Sequence, residues 1–342
     1  MKKIKLIKRV AAVLLVALIA CALALPSAAA TARQTVLVGG MPFGVKYTTE
    51  GILVVGYCDV ACGGSVQNPA RAAGLCPGDC ILRINDVTPG SAAELSDLVG
   101  ACEGEVTLCY RRNGAEATAT LKPVACDSDG RARVGLFVRD GGAGIGTVTF
   151  MLPEQKAFAG LGHGICDGES GELIPLLRGR VMDVRIESVR RGAAGAPGEL
   201  RGRFAGERGT LTQNTLCGVF GMMEELPASP VGRLPVATRG EVREGKASIW
   251  CTLEDGVPQE YTVTLSRIHR GAEGNKCFTV KVTDERLLSR TGGIVQGMSG
   301  SPIIQSGRLV GAVTHVLIGD PTTGYGIFIE NMLANIPALL TR

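Results

Sequence analysis

Residues 292–305 read Gly292-Gly293-Ile294-Val295-Gln296-Gly297-Met298-Ser299-Gly300-Ser301-Pro302-Ile303-Ile304-Gln305. Apolar residues bracket a turn made of Gly, Ser and Pro, which reads as strand, tight loop, strand. A serine hydroxyl is a weak nucleophile. It needs a base beside it and N–H donors for the oxyanion it creates. Gly297, two residues before Ser299, lets the backbone turn its own N–H and that of Ser299 into one hole. Gly300 and Pro302 shape the turn that follows. Ser301 is the neighbouring alternative nucleophile, but it has no glycine at that spacing. Without chemistry, the stretch is an ordinary Gly/Ser turn.

Working outward, the base is quickly enumerated, because the chain has only 3 histidines. His163 lies in Gly160-Leu161-Gly162-His163-Gly164-Ile165, with glycine on both sides to leave the ring accessible. Imidazole titrates nearest neutral pH and suits proton shuttling. His269 sits in a charged turn and reads as a surface residue. His315 follows Ala312-Val313-Thr314 on the strand after the serine loop. It reads as a packed histidine, or as a possible lining of the pocket that receives the substrate side chain. Two acids are candidates to orient the base: Asp284, which ends a strand fifteen residues before Ser299, and Asp183, twenty residues after His163. Spacing alone leaves both open.

Around this loop, residues 142–342 show short apolar runs at 146–151, 181–189, 242–251, 261–268, 278–282, 309–314 and 325–329, with a helix expected over 329–340. With 48 Gly and only 4% aromatics, such density predicts a β-barrel or sandwich rather than a helical bundle. No nucleotide-binding glycine motif is present. The balance of 36 basic to 32 acidic residues, net +4, is too mild for a nucleic-acid footprint.

The segment from 35 to 123 alternates short strands at 52–55, 80–84 and 106–110 with a helix over 91–99 that Ser91 caps. Its run Ala72-Ala73-Gly74-Leu75-Cys76-Pro77-Gly78-Asp79-Cys80-Ile81-Leu82-Arg83-Ile84-Asn85-Asp86 resembles the PDZ family. That resemblance implies an extended peptide added to a sheet edge. It places the peptide-end-binding loop at Met41-Pro42-Phe43-Gly44. Residues 124–141 read as a linker.

G-x-S-G-x-P between strands is similar to chymotrypsin-like serine proteases, where the acid comes from the histidine's own barrel, which favours Asp183. The longer run 292–305, followed by Gly311-Ala312-Val313-Thr314-His315-Val316, with Gly162-His163 and Val282-Thr283-Asp284, resembles the SpoIVB peptidases of spore-forming bacteria. The resemblance implies Ser299 as nucleophile, His163 as base and Asp284 as third member, with no metal or cofactor required. It also implies a double β-barrel behind the PDZ module, self-cleavage, and a signalling role in sporulation. There the enzyme cuts the extracytoplasmic part of a regulatory membrane protein, in the space between forespore and mother cell, to trigger sigma-factor processing. The alternatives are an HtrA-like envelope quality-control protease and an inactive PDZ scaffold.

Residues 1–9, MKKIKLIKR, precede an uncharged run from Val10 to Leu25. That is an export pattern, read over 1–30 as a signal or membrane-anchor helix. Removal near Ser27–Ala30, or lipidation at Cys21, are the alternatives. Of the 12 cysteines, Cys58, Cys62, Cys76 and Cys80 approach a zinc-ligand spacing. The plainer reading is small apolar residues.

Overall fold

The computed structural model describes residues 33–168 and 171–336, so the expected N-terminal helix lies outside the described residues. Among the described residues, no helix is long and apolar enough to cross a membrane. From Thr35 onward the chain forms one compact unit, and it is mainly β.

The chain begins with β1 (Thr35–Val38) and the long β2 (Pro42–Tyr57). A short hairpin, β3 (Val60–Cys62) and β4 (Ser65–Gln67), leads to helix α1 (Pro69–Ala72) and β5 (Cys80–Ile84). Helix α2 (Ala92–Gly100) follows, then β6 (Val106–Arg112) and β7 (Ala115–Leu121). Ser91 caps α2 by accepting the N–H of Glu94, as its hydroxyl suits it to do. The carboxylate of Glu94 takes the N–H of Gly90, one residue earlier than a capping box would place it.

After β8 (Val124–Ala125) and β9 (Ala132–Arg133) comes β10 (Leu136–Leu152). Then follow β11 (Ala157–Gly160), β12 (Leu176–Arg190), β13 (Glu199–Thr215), β14 (Gly218–Met223) and β15 (Arg233–Pro235). The last part holds β16 (Gly245–Thr252), β17 (Pro258–Ser266), β18 (Phe278–Val282), α3 (Glu285–Thr291), β19 (Pro302–Gln305), β20 (Arg308–Leu317), β21 (Asp320–Phe328) and α4 (Ile329–Leu333).

Two barrels result. Strands β16-β17-β18-β21-β20-β19 form a closed barrel in the last third of the chain. The first barrel runs β10-β11-β14-β13-β12-β2, and pairing of β2 with β10 closes the circuit. Phe43, Val45, Val148, Phe158, Val181, Leu211 and Val219 fill it, with Phe43 and Phe158 edge to face at 5.3 Å. A larger apolar cluster joins Val36, Phe150 and Phe220 to Tyr261, Phe278 and Phe328, welding the barrels together.

Two expectations need correction here. Residues 124–141 are not a linker. Leu136–Arg139 of β10 pair with Tyr57–Leu53 of β2 beside the α2 layer, and Gly141–Thr147 of the same strand pair with Thr48–Pro42 in the barrel. One strand pair therefore runs through both modules. Gly141 sits at the junction, where a Cβ would lie 2.2 Å from the carbonyl oxygen of Tyr47. Nor do Met41-Pro42-Phe43-Gly44 form a peptide-binding loop. Pro42, Phe43 and Gly44 begin β2 within the first barrel, Phe43 is buried against Phe158, and the Met41 carbonyl accepts the N–H of Val148. The apolar alternation of Phe43 and Val45 is a barrel-strand pattern, and burying it excludes a loop.

Candidate active site

Ser299 stands on the loop between α3 and β19 of the second barrel, and His163 on the loop after β11 of the first. Each barrel thus supplies one candidate group at their junction. The serine loop is tied to the first barrel by its backbone. The N–H of Thr147 on β10 donates to the carbonyl of Ser299 at 2.8 Å. Gly300, with φ +94°, lies so close to β10 that a Cβ would come within 2.0 Å of the Thr147 carbonyl oxygen. Only glycine tolerates both the conformation and the contact.

Within the loop the N–H groups divide into two sets. Those of Gln296, Met298, Gly300 and Ser301 donate to the carbonyls of Gly198, Val295, Val313 and Met298. Those of Gly297 and Ser299 have no partner among the described residues. Two open donors beside a hydroxyl are what a developing oxyanion requires. Ser301 is fully buried and its hydroxyl donates to the Met298 carbonyl at 2.6 Å, so it is a loop brace and not a competing nucleophile.

The Ser299 hydroxyl donates to the Thr314 carbonyl at 2.7 Å. Next along β20, the His315 ring lies against the His163 ring, with centroids 4.7 Å apart. Thr314 and His315, consecutive on β20, thus link the Ser299 hydroxyl to the packed rings of His163 and His315. Nδ1 of His163 is 2.8 Å from the carbonyl of Gly164. A carbonyl only accepts, so Nδ1 carries the proton and Nε2 keeps its lone pair. Burial lowers the His163 pKa, outweighing the opposing effect of that hydrogen bond, so the ring is neutral at neutral pH. The His315 pKa is lowered too, to about 4, through burial first and then through His163 and Lys276. Its Nδ1 is buried without a partner. Asn214 on β13 steadies the loop after His163 by exchanging two 2.8 Å bonds with Ile165.

Neither candidate acid reaches His163. Asp284 is the N-cap of α3. Its carboxylate accepts the N–H groups of Thr262 and Arg286 and pairs with the Arg286 guanidinium at 2.9 Å. The guanidinium bond is the main cause that holds its pKa down to about 2. Asn275, which accepts the Thr314 hydroxyl at 2.8 Å, precedes β18, whereas Asp284 follows its far end. The five-residue strand between them spans about 17 Å at ~3.3 Å per residue. The expectation of Asp284 as third member is corrected accordingly. A capping residue ahead of a helix and an acid that orients a histidine leave the same mark in sequence, a polar residue ending a strand. Asp183 pairs with Arg208 at 2.6 Å on the first barrel. The orienting partner of His163 is a backbone carbonyl, which no side-chain pattern announces.

A family model described as SpoIVB peptidase S55 matches residues 130–333. The chain belongs to that family. It is a serine endopeptidase, and a PDZ domain model matches residues 64–109. Among solved structures, the PDZ domain of the SdrC-like protein of Listeria monocytogenes is 22% identical, covering 27% of this chain and 90% of that one, with a TM-score of 0.22. The Rv3671c protease of M. tuberculosis in its active form is 14% identical over 57% of this chain and 74% of that one, TM-score 0.34. Deg5 is 14% identical over 58% of this chain and 83% of that one, TM-score 0.35. No curated protein matches.

In this SpoIVB-family peptidase the PDZ module has its groove elsewhere than the sequence suggests. Helix α2 faces Leu136–Val138 of β10 across a cavity of about 280 Å³, lined by Leu95, Val99, Leu108, Leu136 and Val138 among others. Leu136–Arg139 pair with β2 on one edge, and no strand of the described residues pairs with the other. Phe137 beside it is 57% exposed. An unpaired strand edge with a helix and an apolar cavity alongside is the anatomy that receives an extended peptide. Among the cysteines of near zinc-ligand spacing, Cys80 donates to the Glu50 carbonyl and Cys76 to that of Gly74. Among the described residues, no group of three or more His, Cys, Asp or Glu is placed to hold a metal ion.

Proposed function

We propose that the peptidase uses Ser299 as nucleophile and His163 as general base, with the N–H groups of Gly297 and Ser299 as the oxyanion hole. The observation that carries this reading is the pair of open N–H donors beside the Ser299 hydroxyl, whose partner Thr314 is followed on β20 by the His315 ring packed on a neutral His163. Catalysis starts with rotation of Ser299 away from the Thr314 carbonyl onto Nε2 of His163. As Oγ bonds to the peptide carbonyl carbon, Nε2 takes its proton. The carbonyl oxygen, now negative, is held by the two N–H groups. His163 then returns the proton to the leaving amine as the C–N bond breaks. Water repeats the sequence to free the acid and restore Ser299. The Gly164 carbonyl holds the ring in the tautomer this requires. His315, packed against the base, is the residue assigned to line the substrate side-chain pocket.

The biological setting we propose is an exported, membrane-tethered signalling protease of sporulation. It acts between the forespore and mother-cell membranes on the extracytoplasmic part of a regulatory membrane protein, and also cuts itself. Support comes from the family membership and from the basic-then-apolar pattern of residues 1–25. The PDZ groove receives an extended segment of the substrate or of the enzyme. The test is mass spectrometry of full-length wild type beside Ser299→Ala, before and after a serine-directed probe. Wild type is expected to lose an N-terminal piece and to gain one label, and Ser299→Ala to do neither. Labelling or self-cleavage that survives in Ser299→Ala rejects Ser299. Expression in cells that are not sporulating rejects the developmental role while leaving the chemistry intact.

A further inference from the structure

Thr147 lies on β10, in the first barrel, and is 1% exposed. It does not sit in the serine loop. Its hydroxyl crosses the barrel junction to donate to the Gly297 carbonyl at 2.8 Å. Its N–H donates to the Ser299 carbonyl at 2.8 Å. Gly297 and Ser299 are the two residues whose own N–H groups are open. One residue of the opposite barrel thus grips both by their carbonyl ends and leaves both N–H ends unengaged.

Peptide units are rigid planes, and each residue has only two soft dihedrals. Gly297, at φ +97°, has the wider conformational freedom of glycine. The Gly297 carbonyl shares its plane with the Met298 N–H, and this unit joins the two units that carry the Gly297 and Ser299 N–H groups; left free to rotate, it would let those two donors turn relative to each other. Between the two gripped residues, the Met298 carbonyl is fixed by the N–H and hydroxyl of Ser301. Among the described residues, the only side-chain bond on the Gly297 carbonyl is that of Thr147. We propose that Thr147 is a positioning residue for the oxyanion hole, supplied by the first barrel to the loop of the second.

Thr149 is the internal comparison. It stands two residues on, so it faces the same side of the strand, and it is 0% exposed. Its hydroxyl donates to the Gly300 carbonyl at 2.7 Å. The burial, the chemistry and the barrel crossing are alike. Gly300, however, contributes no donor to the hole, because its own N–H is bonded to Val313. A hydroxyl that mattered only for stability would make the two threonines equivalent.

The proposal rests on Ser299 being the nucleophile, and the test separates the two. Full-length wild type, Thr147→Val, Thr147→Ser, Thr149→Val and Ser299→Ala are compared on one peptide substrate, with Tm recorded for each. Thr147→Val is expected to lower kcat by about 10²-fold, the scale of a lost oxyanion donor, with KM within about twofold. Thr147→Ser keeps the hydroxyl and returns kcat to within about threefold of wild type. Thr149→Val is expected to lower Tm as Thr147→Val does, but to leave kcat within about threefold. Should Thr147→Val fail to fold, Thr147→Ala, which also removes the hydroxyl, carries the same expectation. A wild-type kcat in Thr147→Val or Thr147→Ala, or an equal fall in Thr149→Val, overturns the positioning role. Activity retained in Ser299→Ala overturns the nucleophile instead.

Discussion

The two barrels have equal strand numbers and unequal construction. The second is drawn from one continuous stretch, β16 to β21, with neighbours in sequence mostly neighbours in the sheet. The first takes β2 from before the PDZ module and the remaining strands from after it, so the PDZ module is an insertion into a barrel. Its two long strands, β2 and β10, also form part of the PDZ sheet and edge its groove. The loop that carries Ser299 belongs to the self-contained barrel, while His163 and the Thr147 that grips the loop belong to the shared one. A barrel closed by distant segments makes any perturbation of the PDZ strands a perturbation of the catalytic junction.

The widest break in this comparison is truncation. A chain cut to residues 142–342 lacks β1, β2 and the first part of β10. It is expected to show no cooperative thermal transition and no labelling by a serine-directed probe. Cooperative unfolding with retained labelling would mean the first barrel closes without β2.

Gly300→Ala strikes the junction alone. Its Cβ would meet the Thr147 carbonyl at 2.0 Å and the Leu161 N–H nitrogen at 2.5 Å, at a positive φ. A loss of about 3 kcal/mol and of at least ~10²-fold in kcat/KM is expected. Gly144→Ala, on β10 with Thr147 and with nothing within 4 Å of the added Cβ, is expected to stay within about 0.5 kcal/mol. Equal effects at both sites would dissolve the claim that the close approach of Gly300 to β10 is what the serine loop depends on.

Asp284→Asn sharpens the contrast between stability in the second barrel and chemistry at its edge. The folded pKa of about 2 is below the ordinary 3.8. The carboxylate therefore stabilises the fold fully above about pH 4, and that contribution is lost as pH falls through about 2. Asp284 is 8% exposed, but its Arg286 partner is 63% exposed. At most about 2 kcal/mol is thus expected, read by urea unfolding from pH 2 to 7. The value of kcat should be unchanged. A fall of ~10³-fold or more in kcat would return Asp284 to the catalytic machinery.

The smallest effect is in pH dependence. Burial holds the His163 pKa below its ordinary 6.5. A base must be neutral to act, so the acid limb of the kcat/KM profile should have its midpoint below pH 6.5. A midpoint above that value would show that a negative charge faces the ring.

Part of the candidate site was legible. Ser299 declares itself through the glycine before it, and His163 through the small number of histidines and the glycines at its sides. The PDZ run is legible because its turn residues are fixed in spacing. The groove was misplaced, because the strand that edges it, Leu136–Arg139, lies in a stretch whose charge and glycine content imitate a linker. The long β12 and β13 hairpin was only half visible, since its exposed ends carry arginines and acids in place of apolar alternation. The acid was misassigned because a helix cap and a triad member differ only in what they touch. Thr147 was readable as a strand residue and nothing more.

The sequence by itself determined the chemical parts: the serine with its backbone donors, the histidine, and a strand-rich chain with a PDZ module ahead of them. These depend on residue type and short-range spacing, which backbone sterics and side-chain chemistry settle locally. Only the tertiary structure decided which strands close the first barrel, which carbonyl orients His163, where the peptide edge lies, and that Thr147 reaches across to Gly297. Those are pairings between residues as much as 150 positions apart. They are set by which apolar faces must be buried together, a condition of the whole chain that no single stretch of it records.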